Sequence, residues 1–192
     1  VTLSILPRQS AEKPALRQRF DRQVAAASRL RHAHILSALD GGSVAGHHYI
    51  AAEYVGGRTL AAALAEGEWF GVRRGAAIAL AVAKALDHVH GVGMLHRNVS
   101  PRSILLGDAG IVKLRGFSFS RPQRDTGRDT WFDVEDETAP YRAPDWVKDE
   151  VLDIRADVYS LGCVLFHLLA GRPPFVAPNP ATLIERHVKD DP

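Results

Sequence analysis

The sequence holds a single cysteine, Cys163, among its 192 residues. One thiol excludes an internal disulfide, and without companion thiols it argues against a structural zinc site. A reducing, cytoplasmic setting is therefore expected. Cys163 lies in the apolar run Val158 to Leu169 and reads as a small buried hydrophobe rather than a reactive thiol. The chain also lacks an excess of either charge. With 24 basic and 22 acidic residues, its net charge of +2 is too balanced for nucleic acid or a membrane surface to be the principal partner. No run approaches the roughly 18 apolar residues of a membrane span, so no membrane contact by this segment is expected. The first residues lack the basic-then-apolar layout of a signal peptide. None of the histidines, His32, His34, His47 and His48 included, falls in zinc-ligand spacing, and no metal site is expected. The chain opens in strand-like residues at Val1 and stops at Pro192 with no evident cap. It reads as a piece of a longer polypeptide, which leaves room for a membrane anchor outside it.

What is present is an ordinary globular composition, 46% hydrophobic and 24% charged, sufficient for one domain or most of one. Alternation predicts a strand over Val1 to Leu6. Leu16, Phe20, Val24 and Ala27 fall on one face of a helix predicted from Pro14 to Leu30. Two strands, Ile35 to Leu39 and His48 to Ala52, are expected around a turn at Asp40-Gly41-Gly42. After Glu53-Tyr54-Val55-Gly56-Gly57 the chain becomes helical, with Thr59 placed as a cap. A helix apolar all round, and so buried, is predicted from Arg73 to His90 and ended by Gly91 and Gly93. Two short strands bracket Asp108-Ala109-Gly110, a polar loop is expected from Arg121 to Glu137, and a buried helix from Val158 to Leu169. Pro173-Pro174-Phe175 to Pro180 stops it, and Ala181 to Lys189 reads as amphipathic.

His96-Arg97-Asn98-Val99-Ser100-Pro101-Arg102-Ser103-Ile104-Leu105-Leu106 resembles the protein-kinase catalytic loop H-R-D-L-x-x-x-x-N with its following strand. Arg115 and then Gly116-Phe117-Ser118 stand where that family has Asp-Phe-Gly. Ala143-Pro144-Asp145 is similar to Ala-Pro-Glu, Val1-Thr2-Leu3-Ser4 to V-A-I-K, and Ala52-Glu53-Tyr54-Val55 to gatekeeper and hinge. Phe20-Asp21-Arg22-Gln23 matches the helix carrying the family's glutamate. The chain thus resembles the Hanks-type, bacterial-like Ser/Thr protein kinases over almost its whole length. The resemblance implies an α+β bilobal fold with a partial N-lobe and hinge at 1–55 and a C-lobe at 56–192. The glycine-rich-loop strands and the last C-lobe helices are missing from this stretch.

The resemblance also exposes substitutions. Ser4 stands at the phosphate-pairing lysine and Gln23 at its glutamate partner. Asn98 replaces the catalytic aspartate, and a neutral amide cannot accept the substrate proton as a carboxylate does. Ser100 replaces the lysine beside the γ-phosphate, Ser103 the magnesium-binding asparagine, and Gly116 the magnesium-binding aspartate. Losing one such contributor commonly costs about 10²- to 10⁴-fold in rate. The implied function is a degenerate family member, a pseudokinase acting as a scaffold or phospho-dependent docking module. The alternatives are an active Ser/Thr kinase with atypical catalytic residues and a nucleotide-sensing switch.

Other residues keep structural parts in the family pattern. Asp157 matches the residue that hydrogen-bonds the catalytic loop's backbone, and His96, Phe117 and Leu105 match apolar spine positions. Arg97 is read either as reader of a phosphate on Thr126, Thr130 or Thr138, or as an arginine satisfied by local carbonyls. The loop bearing Thr126 and Thr130 is read either as a mobile surface loop or as a docking site for an active kinase or a phosphothreonine-reading domain. Thr2, Ala52, Glu53, Val55 and Leu105 are the candidate nucleotide contacts. No cofactor is expected to be required, and any ATP should bind weakly and without magnesium.

Overall fold

In the computed structural model, which describes residues 1–6, 11–12, 14–117, 121–122, 137–146 and 153–192, the opening residues form strand β1 (Thr2–Ile5). It pairs antiparallel with β3 (His47–Ala52), which pairs in turn with β2 (Ala38–Val44), in the order β1-β3-β2. Helix α1 (Pro14–Arg29) packs on this sheet, where Phe20, Ala27, Ala38 and Ile50 are buried together with Val24 and Leu6 against them. The side chain of Leu16 lies outside the described residues.

The expected hairpin is corrected. Asp40, Gly41 and Gly42 run along β2 opposite Ala51, Ile50 and Tyr49. The turn is instead Ala45-Gly46, with φ of 49° and 78°, the positive values a two-residue hairpin loop of the primed type requires. Helix α1 supplies the physical reason for Gly41. A Cβ on Gly41 would lie 2.5 Å from Val24 Cγ1, so glycine there permits the close approach of helix and strand. Ile35, expected in the first arm, makes a parallel bridge to Leu114 and is fully buried in the larger core.

Strands β4 (Gly57–Thr59), β6 (Ile104–Gly107) and β7 (Val112–Leu114) form a second sheet in the order β4-β6-β7. Thr59 caps α2 (Leu60–Ala65), its Oγ1 accepting from the Ala62 N–H at 3.1 Å. Helices α3 (Gly71–Gly91) and α4 (Ile154–Ala170) share the main core, where Val82, Val89, Leu114, Val164 and Leu168 are buried. Burial of α3 on all sides is not observed: Leu80 is 57% exposed and Ala76 and Ala77 face solvent. Its alanines reflect helix propensity as much as burial.

Helix α4 begins before the apolar run because Asp153 caps it, accepting from the Arg155 N–H at 2.8 Å, and it ends at Gly171 with a left-handed φ of 72°. Asn179 likewise caps α5 (Pro180–Lys189). Strand β5 (Met94–Leu95) pairs with β8 (Arg121–Pro122). The first two residues of the expected loop are therefore strand, and its 123–136 stretch lies outside the described residues. The fold is α+β, a small sheet with one helix joined to a larger, mainly helical part. Among the described residues no helix is long and apolar enough to cross a membrane.

Candidate functional site

The loop between β5 and β6 is held from beneath by Asp157, which sits in the first turn of α4 and is 1% exposed. Its carboxylate accepts from the N–H groups of His96 (2.9 Å) and Arg97 (2.7 Å) and from His90 Nε2 (2.8 Å). Burial pushes the Asp157 carboxyl up, but these donors more than offset it and hold it below the usual carboxylate range. Arg97 takes φ of 65° and is 7% exposed, so its guanidinium is not displayed at the surface.

His96 is fully buried. Its Nε2–H donates to the Arg115 carbonyl at 3.0 Å and its Nδ1 accepts from the Asn98 N–H at 3.3 Å, a neutral ring in one tautomer. Burial holds its pKa below the usual histidine value despite the nearby Asp157. Phe117 meets it edge to face, with centroids 4.8 Å apart. Leu105, the third expected spine residue, is half-buried on β6.

Ser100 and Ser103 close on each other. The Ser103 hydroxyl donates to the Ser100 carbonyl (2.8 Å) and accepts from the Ser100 N–H (3.0 Å), while the Ser103 N–H returns to the Ser100 carbonyl at 2.9 Å. Both are buried, at 1% and 4% exposed. The Arg115 N–H donates to the Ser103 carbonyl (2.8 Å), which brings Gly116 alongside; a Cβ on Gly116 would lie 3.8 Å from Ser103 Cβ. The structure thus brings Ser100, Ser103 and Gly116 together, small groups without charge at the end of the loop that carries Asn98.

Thr2 and Ser4 are exposed on β1, paired with Ala52 and Ile50 of β3. Gln23 lies on α1, but its side chain is outside the described residues. Glu53 is engaged rather than open to a ligand: its Oε1 accepts from Lys113 Nζ at 2.6 Å and from the Ser37 N–H at 2.8 Å. Val55 is half-buried beside Gly107, where a Cβ would meet Val55 Cγ1 at 2.8 Å. Thr126 and Thr130 fall outside the described residues. Thr138, grouped with them as a modifiable threonine, is 7% exposed and does not present its hydroxyl at the surface. Cys163 is buried, and burial raises its thiol to about 11.

Sequence reasoning missed His90, and it considered Lys113 only as a stand-in cation without finding its partner. His90 completes the ring of donors on Asp157, and Lys113 pairs with Glu53. A lone lysine in the apolar strand Val112-Lys113-Leu114 was the available signal, because a sheltered ammonium needs a partner.

An aspartate-anchored loop between two short strands, in a mainly helical part that follows a small sheet carrying one helix, is the architecture of a protein kinase. A family profile described as Protein kinase domain matches residues 5–191. The chain is 34% identical over 197 aligned positions to the serine/threonine-protein kinase PknB of Mycolicibacterium smegmatis, covering 100% of this chain and 32% of that protein. It is 33% identical to a probable serine/threonine-protein kinase of Streptomyces coelicolor and 33% identical to PknB of Mycobacterium tuberculosis, covering 100% of this chain and 29% and 32% of those proteins. The chain belongs to the protein kinase family. It spans about a third of the length of the curated relatives it matches.

Proposed function

We propose that this protein-kinase domain is a pseudokinase that docks partners rather than transferring phosphate. The closed Ser100/Ser103 pair beside Gly116 carries this reading. Phosphoryl transfer needs metal ligands, a phosphate-binding cation and a base. Here the Ser103 hydroxyl is spent on the Ser100 carbonyl, Gly116 has no side chain, and Asn98 is neutral. Lys113, a cation of the neighbouring strand, is held by Glu53. The residues at these positions do not fit a magnesium-bound triphosphate, which needs carboxylate oxygens for the metal. Purified chain given ATP and magnesium is expected to incorporate no phosphate, and magnesium is expected to add nothing to any thermal shift produced by ATP. Stoichiometric incorporation abolished by one substitution within the chain overturns the reading.

A second reading, an active Ser/Thr kinase with atypical residues, is favoured by the relatives' names as serine/threonine-protein kinases; the same assay separates the two. The partner in the first reading is an active kinase that modifies Thr126 or Thr130, or a domain that reads the resulting phosphothreonine.

A further inference from the structure

The positive charge of the chain is concentrated in one stretch. Residues 8–31 hold seven basic residues against two acidic ones, Glu12 and Asp21, whereas the whole chain holds 24 against 22, so the remainder is net acidic. Most of the excess lies on α1, whose cations, Arg17, Arg19, Arg22 and Arg29, are all arginines and whose first turn holds no acid. The helix spends its apolar face on the sheet, where Phe20 and Ala27 are buried with Val24 against them. Positions 18, 22, 25 and 29 recur on the opposite side, and Gln18, Ala25 and Arg29 are exposed there. Arg17 and Arg31 are exposed as well. Elsewhere cations meet carboxylates of the chain itself: Arg58 and Arg74 meet Glu68, and Lys189 meets Glu185. Among the described residues no carboxylate pairs with Arg17, Arg29 or Arg31. Asp21, the acid of the helix, faces His48 of β3 at 3.3 Å.

We infer that the arginine-bearing outer side of α1, continued by Arg31, is a docking surface for an acidic segment of a partner protein. The inference rests on the docking half of the proposed function and names the chemistry by which a partner is held. Arginine suits a carboxylate partner, because its planar guanidinium offers a fork of donors that meets both carboxylate oxygens at once and is more weakly hydrated than an ammonium. A membrane surface fits less well. An interfacial helix inserts its apolar face, and here that face is buried against the sheet. Nucleic acid also fits less well, since the helix's one aromatic, Phe20, is buried and leaves no ring on which a base could stack. Contacts of exposed arginines with carboxylates are screened by salt, so the binding should be steeply salt-dependent.

The test titrates a fluorescently labelled oligoglutamate peptide with the whole chain and reads anisotropy at low and high salt. Binding is expected at low salt and should weaken about tenfold or more at high salt. Arg17→Glu with Arg29→Glu and Arg31→Glu should weaken low-salt binding by about tenfold or more, because each reversal replaces an attraction by a repulsion. Arg73→Glu with Arg155→Glu and Lys189→Glu changes the net charge equally at exposed positions off α1 and should leave most of the binding. Should the first triple variant fail to fold, Arg17→Gln with Arg29→Gln and Arg31→Gln decides in its place. Equal losses in the two triple variants would mean that net charge alone is read, and would overturn the surface. Absence of peptide binding at low salt overturns it too. Vesicles of phosphatidylcholine and phosphatidylserine in equal parts form the last arm, and their capture of the chain through the same arginines in place of the peptide overturns the assignment to a protein partner. Failure of the pseudokinase reading would appear instead as phosphate incorporation from ATP, which peptide anisotropy does not report.

Discussion

Asp157 of α4 and Ser103 hold opposite ends of the loop between β5 and β6 and have very different structural weight. Asp157 satisfies three donors from a position 1% exposed, so its removal strands two backbone N–H groups and the His90 ring together. Asp157→Ala should lower unfolding free energy by about 3–5 kcal/mol, the range for breaking a buried charged network. Ser103 makes its hydrogen bonds to Ser100, three residues away. Ser103→Ala should therefore lose only about 1 kcal/mol. Urea denaturation of the two variants checks the ordering, and equal midpoints would refute the anchoring role given to Asp157. In this part of the site, structural parts are retained where the resemblance shows chemical ones replaced. The six substitutions at Ser4, Gln23, Asn98, Ser100, Ser103 and Gly116 are assigned by motif spacing alone, which fixes the chemistry each position would need in the family. His90 was not legible, because its partner lies 67 residues away and no local pattern announces the bond.

At the scale of elements, the glycines show what local pattern can and cannot reveal. Gly57, with φ of 135°, enters β4 so close to β6 that a Cβ would lie 2.1 Å from the Leu106 carbonyl oxygen. A backbone atom cannot move aside cheaply, and Gly57→Ala should cost on the order of 3 kcal/mol from strain and clash together. Gly46 also has positive φ, but nothing lies within 4 Å of its Cβ position, so Gly46→Ala should lose about 1–2 kcal/mol from conformation alone. Thermal unfolding of both variants tests this, and a Gly46 variant as damaged as the Gly57 one would contradict it. Helices α1, α3, α4 and α5 and strands β1, β3, β6 and β7 were legible from periodicity and caps. Strand β2 was misread because Asp-Gly-Gly signals a turn locally, whereas here Gly41 serves contact with α1, a tertiary demand. The two-residue β5–β8 pairing is too short to leave a period at all.

For the whole molecule, the histidines set the response to acid. His96, His167 and His187 are each held below the usual histidine value chiefly by burial, and His32 likewise, stacked on His88 with centroids 5.4 Å apart. His167 and His187 each share a 2.7 Å hydrogen bond with a tyrosine hydroxyl, Tyr141 and Tyr159, tying α4 to the 139–141 turn and to α5. A histidine whose folded pKa is depressed stays neutral in the native state after the unfolded chain has begun to take up protons. The unfolded state then binds more protons, and stability falls as pH falls. Above pH 6.5 both states are neutral at these sites and stability should be level. Below 6.5 it should decline, each lagging histidine contributing at most about 1.4 kcal/mol per pH unit until its own folded pKa is passed. Fully buried His96 should contribute most, and partly exposed His32 least because solvent screens it. A second fall belongs below the ordinary aspartate value of 3.8, where Asp157, depressed in the fold, is forced to protonate. Melting temperatures between pH 8 and pH 5 should therefore show a plateau and then a descent beginning near 6.5. Histidine ring signals followed by NMR should place His96 among the last to titrate. A melting curve flat to pH 5, or a His96 ring that titrates with the exposed histidines, would show that the buried rings do not govern acid stability.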